Sequence, residues 1–357
     1  MSRKRVVVLY GGRSVEREVS RVSARTIVAA LDRAKYDVIP LAVGEDGRFL
    51  PAEDSAKLLA EGFVPERFRR AEPESTAVVP LEFSPGQADV VFPIIHGTTG
   101  EDGTLQGFLD FLGIPYVGAG VTGSAIGMDK AVFKALLVGA GIPTPRFVVV
   151  RASEPRAEAR ERADALPLPL FVKPATGGSS VGVRKVKNRS GLDKALAEAF
   201  LYDERALVEE GIDARELECA VLGDEEPRAS VPGEVVPGHE FYDYDDKYRD
   251  DKAELRIPAP VSEQVSDEVR RLAVESFRIC GLSGMARVDF FLERGTDRVL
   301  VNELNTLPGF TAISMYPKLW EASGLPLPAL LDELIRLALA RSERRKRLSH
   351  EPPAELA

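Results

Sequence analysis

A hairpin-like segment near the end of the chain carries polar side chains that could bind a metal ion and an anion. Residues 284–309 contain two apolar, β-rich segments, ARVDFFL and RVLVNEL, on either side of the turn-like ERGTD. This pattern is typical of two antiparallel strands. Because side chains alternate faces along a strand, Arg287 and Asp289 share one face of the first strand. Glu303 and Asn305 likewise share one face of the second, so the four groups can meet on one wall.

These four side chains suit two kinds of chemistry. Two carboxylates and an amide oxygen are hard oxygen donors, which suit Mg²⁺ together with phosphate oxygens. A guanidinium beside them suits an anionic substrate. The alternative is a solvated strand face held by cross-strand ion pairs, and the spacing by itself leaves both interpretations open.

A glycine-rich segment in the middle of the chain favours phosphate binding. The sequence PATGGSSVGVRKV lies between two β-rich segments, and Lys173 stands just before it. Such a loop can fold its N–H groups over a polyphosphate, and lysine is a common phosphate ligand. The alternative is a plain hairpin turn. Gly178, Ser180 and Gly182 also match the hydrolase pattern G-x-S-x-G, but that motif requires a helix directly after it. The Walker A pattern is absent.

The first part of the chain indicates an α/β arrangement. Residues 6–10 form an apolar strand pattern followed by Gly-Gly and a helical pattern that contains Glu16. Residues 36–43 form a second strand pattern, and residues 89–95 form a third, which ends at His96 in another glycine-rich loop. Such loops at strand ends are where α/β sheets bind ligands. Glu16 either complements the helix dipole or receives a substrate ammonium, and His96 is either structural or a binding residue.

The segment GAGVTG, residues 118–123, formally matches the dinucleotide-binding fingerprint. That fingerprint requires an acidic residue about 20 positions further on, and the region there, LLVGAGIPTP, has no carboxylate. We therefore interpret these glycines as turn residues. A nicotinamide-dependent enzyme is disfavoured.

Length and composition restrict the remaining possibilities. The 357 residues predict two or three domains, and the net charge of −9 without a basic stripe disfavours nucleic acid as a partner. Two cysteines in separate apolar segments fit a reducing compartment. No apolar run reaches the length of a membrane span, so we expect a cytoplasmic protein that does not bind membranes. The polar, tyrosine-rich stretch within 223–260 predicts a lid loop. We also expect one helix over 319–340 and a frayed charged tail.

In their order and spacing, the motifs resemble the D-alanine–D-alanine ligase family of the ATP-grasp superfamily. The blocks that carry the resemblance are GGRSVEREVS, IIHGTTGEDGTLQG, MDKAVFKALL, FVKPATGGSSVGV, FYDYDDKY, ARVDFF and NELNTLPGFTAIS. The resemblance implies an α/β fold with α+β central and C-terminal parts, in a three-domain ATP-grasp architecture. The N-terminal domain, with a parallel sheet, would span 1–125, the small central domain 126–215 and the C-terminal domain 216–345, before a tail over 346–357.

The resemblance also implies a nucleotide site and a metal site. Lys130 and Lys173 would contact the phosphates of ATP, and strand 206–212 would present backbone groups to adenine. Glu209 and Glu216 would bind the base and the ribose. The remaining implied nucleotide ligands are Ser180, Glu210, Ile212 and Lys247. Two Mg²⁺ ions, or Mn²⁺, would be held by Asp289, Glu303 and Asn305.

Two D-alanine molecules are the substrates that the resemblance implies. Glu16 would bind the ammonium of the first D-alanine, with His96 nearby. Ser314 would bind the carboxylate of the second, and Met315 would line its pocket. The groups implied in catalysis are Glu16, Ser179, Tyr248, Arg287, the backbone N–H of Gly309, and Ser314.

The resemblance leaves several points as expectations. It implies an acyl phosphate intermediate, a role in peptidoglycan precursor synthesis and a homodimer. Tyr248 in the lid sequence favours D-alanine over D-lactate as the second substrate, although a D-alanine–D-lactate ligase remains an alternative. A nucleotide-binding regulator without turnover is a further alternative, and Arg287 beside the acidic groups argues against it.

Overall fold

The computed structural model describes residues 3–62, 88–236 and 254–348. The described residues form three β-sheets, one parallel and near the N-terminus, the other two antiparallel. The predicted fold class, α/β with a parallel N-terminal sheet, is therefore confirmed. No described helix is both long enough and apolar enough to span a membrane.

The N-terminal sheet has β1 (Lys4–Gly11) at its centre, paired in parallel with β2 (Tyr36–Val43) and β3 (Val90–Pro93). Its strands are almost continuously apolar, as expected for a parallel sheet covered on both faces. The helices of this region are α1 (Arg17–Ala30), α2 (Ala52–Glu61) and α3 (Thr104–Phe111). The carboxyl ends of β1 and β3 lie at the same edge, where both predicted glycine-rich loops begin.

Helix α1 is fixed to that edge by small buried polar side chains. The hydroxyl of Ser20 accepts a hydrogen bond from Gly11 N (2.8 Å) and donates one to Ile94 O (2.5 Å). It thereby joins the ends of β1 and β3. The hydroxyl of Ser23 accepts from Phe310 N at 3.1 Å. Helix α1 therefore links the first loop of the chain to the segment that follows the predicted hairpin.

The second sheet is antiparallel and has the order β4-β7-β5-β6. Its strands are β4 (Phe147–Arg151), β5 (Leu170–Pro174), β6 (Arg184–Val186) and β7 (Arg205–Glu210). Helices α4 (Val121–Met128) and α5 (Lys130–Gly139) precede this sheet, and α6 (Arg156–Asp164) and α7 (Leu192–Ala199) pack on it. The glycine-rich segment joins the antiparallel strands β5 and β6, so the predicted strand–loop–strand arrangement is confirmed.

The third sheet carries the predicted hairpin. Its main path is β11-β10-β8-β12-β13, and β9 pairs with β8. The strands are β8 (Ala214–Gly223), β9 (Arg228–Ala229), β10 (Gly233–Val236), β11 (Glu254–Arg256), β12 (Gly284–Glu293) and β13 (Val299–Asn305). Helix α8 (Glu263–Ile279) covers one face through a core that includes Val288 and Phe290. Those apolar residues alternate with Arg287 and Asp289, which fixes the polar face of β12.

The expectation of one closing helix over 319–340 is wrong. Two helices occupy this region, α9 (Met315–Ala322) and α10 (Leu327–Lys346). The chain turns between them at Gly324, whose φ of +86° favours glycine. Both helices pack against the N-terminal sheet in one hydrophobic core. Helices α9 and α10 therefore complete the hydrophobic core of the N-terminal sheet.

The frayed-tail expectation is also wrong for residues 341–346, which continue α10. The guanidinium of Arg341 donates to Gly118 O, to Tyr116 O (2.8 Å) and to the Ser283 hydroxyl. It also lies 4.6 Å from the ring centre of Tyr116. Burial lowers the pKa of Arg341. This side chain joins α10 to the loop before α4 and to the start of β12.

We expect Arg341→Met to destabilise the protein strongly, because it removes the guanidinium that donates to Tyr116 O and Gly118 O. Gly118 O would keep only its 3.4 Å contact with the Ser283 hydroxyl. The expected loss in free energy of unfolding is about 2–4 kcal/mol. Arg336→Met is the matched control on the same helix, where an exposed ion pair with Glu333 contributes at most about 0.5 kcal/mol. Urea unfolding measures both values. Equal losses in the two variants would contradict the role given to Arg341.

Candidate active site

The hairpin gathers its four polar side chains as predicted. In the antiparallel register of β12 and β13, Arg287 lies opposite Asn305 and Asp289 lies opposite Glu303. A register shift follows directly, between Asp289 and Phe290. The four side chains therefore share one face of the sheet, which we call the hairpin wall. Glu218 of β8 lies opposite Asp289 on the other side and adds a fifth polar group.

Cations neutralise the carboxylates of the hairpin wall. Arg287 contacts both carboxylate oxygens of Asp289, from Nε at 2.7 Å and from the terminal nitrogen at 2.8 Å. Its Nε also lies 3.0 Å from Glu218. Lys130, the first residue of α5, places Nζ 2.9 Å from Glu303. Ion pairing, which was the alternative interpretation of this face, is thus present alongside a set of oxygen donors.

Two cavities meet at the hairpin wall. The larger, about 650 Å³, lies between the second and third sheets under the glycine-rich loop. The smaller, about 160 Å³, lies between the hairpin wall, the loops of the N-terminal sheet and the start of α9. Residues that line both are Lys130, Gly177, Gly178, Ser179, Glu218, Arg287, Asp289 and Glu303. A group transferred between the two cavities would pass along this wall.

Every described site residue that the sequence suggested lines at least one of the two cavities. The larger cavity contains those expected at the nucleotide: Lys130, Lys173, Ser180, Glu209, Glu210, Ile212 and Glu216. The smaller contains those expected at the amino acids: Glu16, His96, Ser179, Arg287, Gly309, Ser314 and Met315. Five of the suggested residues line both cavities, and Asn305 lines the smaller one; the shared residues are Lys130, Ser179, Arg287, Asp289 and Glu303. Tyr248 and Lys247 lie outside the described residues.

The glycine-rich loop, residues 175–183, is held over the junction of the cavities. The hydroxyl of Ser179 donates to the carboxylate of Glu16, and Lys130 Nζ donates to Gly177 O at 2.6 Å. Ser179 and Ser180 both have positive φ, 53° and 60°, a backbone conformation that costs free energy for residues other than glycine. The loop thus bridges the N-terminal region to α5 and the hairpin wall.

A buried carboxylate lies at the side of the larger cavity. One oxygen of Glu209 is 2.5 Å from Lys173 Nζ, and the other is 2.6 Å from Lys134 Nζ. Burial favours the protonated carboxyl, but the two lysines outweigh it and lower the pKa of Glu209. Burial also acts against the charged form of Lys173, yet Glu209 raises the pKa of this lysine. For Lys134, burial prevails over Glu209 and lowers the pKa.

Glu210 faces a different partner from Glu209. Its carboxylate accepts hydrogen bonds from the backbone N (2.9 Å) and Nε (2.8 Å) of Arg146. This pairing fixes the end of β7, after which Gly211 and Ile212 continue along the larger cavity. The strand itself is paired with β4 on one side and β5 on the other, so the segment that follows it lines the cavity.

The smaller cavity contains a buried histidine–carboxylate pair. His96 Nδ1 lies 3.1 Å from Glu101, and both side chains are largely buried. Burial acts to lower the pKa of His96, but Glu101 and then Glu16 outweigh it, so the pKa is raised. At the opposite end, the Ser314 hydroxyl accepts from Thr311 N at 2.9 Å just before α9 begins. The start of a helix favours a negatively charged ligand.

Several charged residues of this site are missing from the sequence-based prediction, among them Glu101, Glu218 and Lys134. Glu101 lies in the same glycine-rich loop as His96. Glu218 lies two positions after Glu216, on the same face of β8, so strand periodicity could have identified it. Lys134 lies four positions after Lys130 on α5, within an apolar helical pattern that gives no signal for a buried charge.

The oxygen donors of the hairpin wall fit a Mg²⁺ ion that also binds phosphate. In the described part of the chain, no three His, Cys, Asp or Glu side chains are grouped to hold a metal by themselves. Mg²⁺ usually takes one or two carboxylates plus substrate phosphates, and Asp289 and Glu303 lie side by side at the junction of the cavities. Asn305 already accepts from Leu307 N at 3.1 Å, which orients its amide oxygen.

Models of one protein family match most of the chain. The model described as the D-ala D-ala ligase N-terminus matches residues 5–119, and that described as the D-ala D-ala ligase C-terminus matches residues 136–336. Curated relatives named D-alanine–D-alanine ligase include one from Caldicellulosiruptor bescii, 45% identical over 98% of this chain and 99% of its own length. Another, from Solibacter usitatus, is 46% identical over 96% of this chain and 97% of its own length.

Solved structures agree with these sequence matches. The D-alanine–D-alanine ligase from Coxiella burnetii is 38% identical, covers 97% of both chains and superposes with a TM-score of 0.81. The VanG D-Ala:D-Ser ligase from Enterococcus faecalis is 32% identical, covers 94% of this chain and all of its own, and has a TM-score of 0.80. The structural similarity therefore covers nearly the whole chain.

Proposed function

The chain belongs to the D-alanine–D-alanine ligase family, and we propose that it joins two D-alanine molecules into D-alanyl-D-alanine with conversion of ATP to ADP and phosphate. The observation that carries this proposal is the hairpin wall shared by the two cavities. A ligase of this type must bring the γ-phosphate of ATP into contact with the carboxylate that accepts it, while both substrates are bound. Two cavities that meet at a wall of carboxylates and cations meet that requirement.

In the first step, the carboxylate of one D-alanine attacks the γ-phosphate of ATP. The γ-phosphoryl group is transferred to form an acyl phosphate, and ADP is the leaving group. Phosphoryl transfer is catalysed mainly by positioning and by charge neutralisation. Lys130 and Lys173, from the larger cavity, neutralise phosphate oxygens. Asp289, Glu303 and Asn305 would hold Mg²⁺ or Mn²⁺, in the proposal two ions. When bound, this metal neutralises phosphate charge and aligns the transferred group.

In the second step, the amine of the other D-alanine loses a proton and attacks the acyl carbon. The carbonyl oxygen becomes an oxyanion, the peptide bond forms and phosphate leaves. Arg287 and the backbone N–H of Gly309 line the smaller cavity where that charge develops, and donors placed in this way stabilise the transition state. The acyl phosphate must be kept from water, and the loop latched by Ser179 to Glu16 covers the junction.

The remaining residues of the smaller cavity orient the two amino acids. Glu16 receives the ammonium of the first D-alanine, with His96 beside it. Ser314, at the start of α9, receives the carboxylate of the second, and Met315 forms part of its pocket. In the larger cavity, strand 206–212 with Glu209, Glu210 and Glu216 surrounds the base and ribose, and Ser180 of the loop covers the phosphates. Lys247 and Tyr248 complete the proposed site from the lid segment.

The wider assignments follow from the same proposal. The product would enter peptidoglycan precursor synthesis, in the cytoplasm. The three-domain division at 1–125, 126–215 and 216–345, with a tail from 346, remains our proposal, as does a homodimer. The substrates, ATP and D-alanine, involve neither nucleic acid nor a membrane surface as partners.

The experiment that tests this function is an assay of ADP formation. We expect ADP to form only when D-alanine and Mg²⁺ are both present, to stop when a chelator removes the metal, and to resume with Mg²⁺ or Mn²⁺. Parallel assays that offer D-serine or D-lactate as the second substrate, with product analysis, should yield mainly D-alanyl-D-alanine. Absence of ADP under all these conditions would refute the proposal, and a mixed product with D-serine as the main species would correct the second substrate.

We expect Arg287→Lys to retain nucleotide binding but to lower the ligation rate about 100- to 1,000-fold, the usual effect of losing one oxyanion donor. Lysine keeps a positive charge between Glu218 and Asp289 but lacks the planar fork that contacts both oxygens of Asp289. The control is Arg298→Lys, on the same hairpin and outside both cavities. Calorimetry with ADP measures nucleotide binding, and an assay of dipeptide formation measures the ligation rate. A ligation rate near that of the control would remove Arg287 from the mechanism.

A further inference from the structure

Behind the larger cavity lies a charged side chain to which the proposed reaction gives no role. Lys134 is 1% exposed, and it lies behind Glu209 rather than in the cavity lining. Lys173, on the other side of Glu209, does line the cavity. The order from the interior to the nucleotide site is therefore lysine, carboxylate, lysine. We call these three residues the buried charge relay.

Lys134 is held firmly in this position. Its ammonium donates to the hydroxyl of Thr144 at 2.9 Å, and that hydroxyl donates to Val301 O of β13 at 2.8 Å. Four residues earlier on the same helix, Lys130 contacts Glu303, also on β13. Helix α5 is thus attached to β13 at two points one turn apart, directly through Lys130 and through Thr144 for Lys134. Lys134 has little freedom to leave Glu209.

The relay contains two lysines and one carboxylate, beside a cavity proposed to take a triphosphate. Glu303 also attracts both lysines electrostatically, and Glu216 attracts Lys173. Removing the sole cationic partner of a buried carboxylate strongly destabilises a protein. With Lys134 fixed on its far side, Glu209 would keep a partner if Lys173 turned away.

We propose that Lys134 is a positioning residue for nucleotide binding: it neutralises Glu209, so that Lys173 can leave this carboxylate and contact the nucleotide phosphates. This inference rests on the proposed function, because it requires the larger cavity to bind ATP. Without Lys134, Glu209 would retain Lys173 as its only counter-ion. The phosphates would then lose a cation although the cavity surface remains unchanged.

The test compares the affinities for ADP and for adenosine, which lacks phosphates, by calorimetry in the presence of Mg²⁺. In Lys134→Met, we expect the affinity for ADP to fall on the order of tenfold, since one phosphate contact of this kind is lost. The affinity for adenosine should change less than about threefold, within the effect of small packing changes. Lys57→Met, which removes an exposed lysine paired with Glu53, serves as the control and should bind both ligands as the wild type does.

A double variant isolates the proposed cause. In a Glu209→Gln background no buried carboxylate needs a counter-ion, so adding Lys134→Met should leave the ratio of ADP to adenosine affinity unchanged. If Lys134 were merely structural, its replacement would lower the affinities for ADP and adenosine equally, or would have the same effect with Glu209 and with Gln at position 209. Either result would overturn the inference. If Lys134→Met does not fold, Thr144→Val provides the comparison, because it removes the hydroxyl that holds Lys134. It should weaken ADP selectively, and unchanged ADP binding would overturn the inference.

Failure of the inference differs from failure of the proposed function. A wild-type protein that binds no adenine nucleotide would overturn both. If the wild type binds ADP and Lys134→Met has the same ratio of ADP to adenosine affinity, only the role of Lys134 is overturned.

Discussion

The opposition of Asp289 and Glu303 across two antiparallel strands is the constraint on which the site depends. Side chains alternate along a strand, so a slip of one residue would turn the polar residues into the core. Val288 and Phe290 prevent this slip, because both are buried under α8. The hydrophobic core therefore determines which residues form the hairpin wall, and the wall determines where the two cavities meet. The register of β12 and β13 therefore determines both the packing of the core and the position of the site.

The charges on the hairpin wall are supplied by different parts of the chain. Arg287 comes from the same strand as Asp289, whereas the partner of Glu303 is Lys130 from α5. Lys130 also contacts the glycine-rich loop, which Ser179 joins to Glu16 near the start of α1. A bound triphosphate would compete with the carboxylates for these cations. In the proposed reaction, ligand binding would thus change contacts in the N-terminal region, the glycine-rich loop and the hairpin together.

Sequence patterns predicted the local features of this site better than they predicted contacts between residues far apart in the sequence. Strand alternation was sufficient for the hairpin wall, and the strand–loop–strand pattern was sufficient for the glycine-rich loop, because both depend on neighbouring residues. The pairing of Lys134 with Glu209 joins a helix to a strand about 75 residues later, and no local period reports such a contact. Similarly, charged residues after 340 indicated a free tail, but Arg341 is buried against carbonyl groups of residues 116 and 118. The break at Gly324 was missed because apolar periodicity continues on both sides.

The most direct test of the hairpin wall is a crystal structure with Mn²⁺ and a non-hydrolysable ATP analogue, using the anomalous signal of manganese to locate the metal. We expect manganese bonded to Asp289, Glu303 or Asn305 and to phosphate oxygens, with the adenine in the larger cavity. Manganese bound elsewhere, or a triphosphate that lies away from β12 and β13, would contradict it.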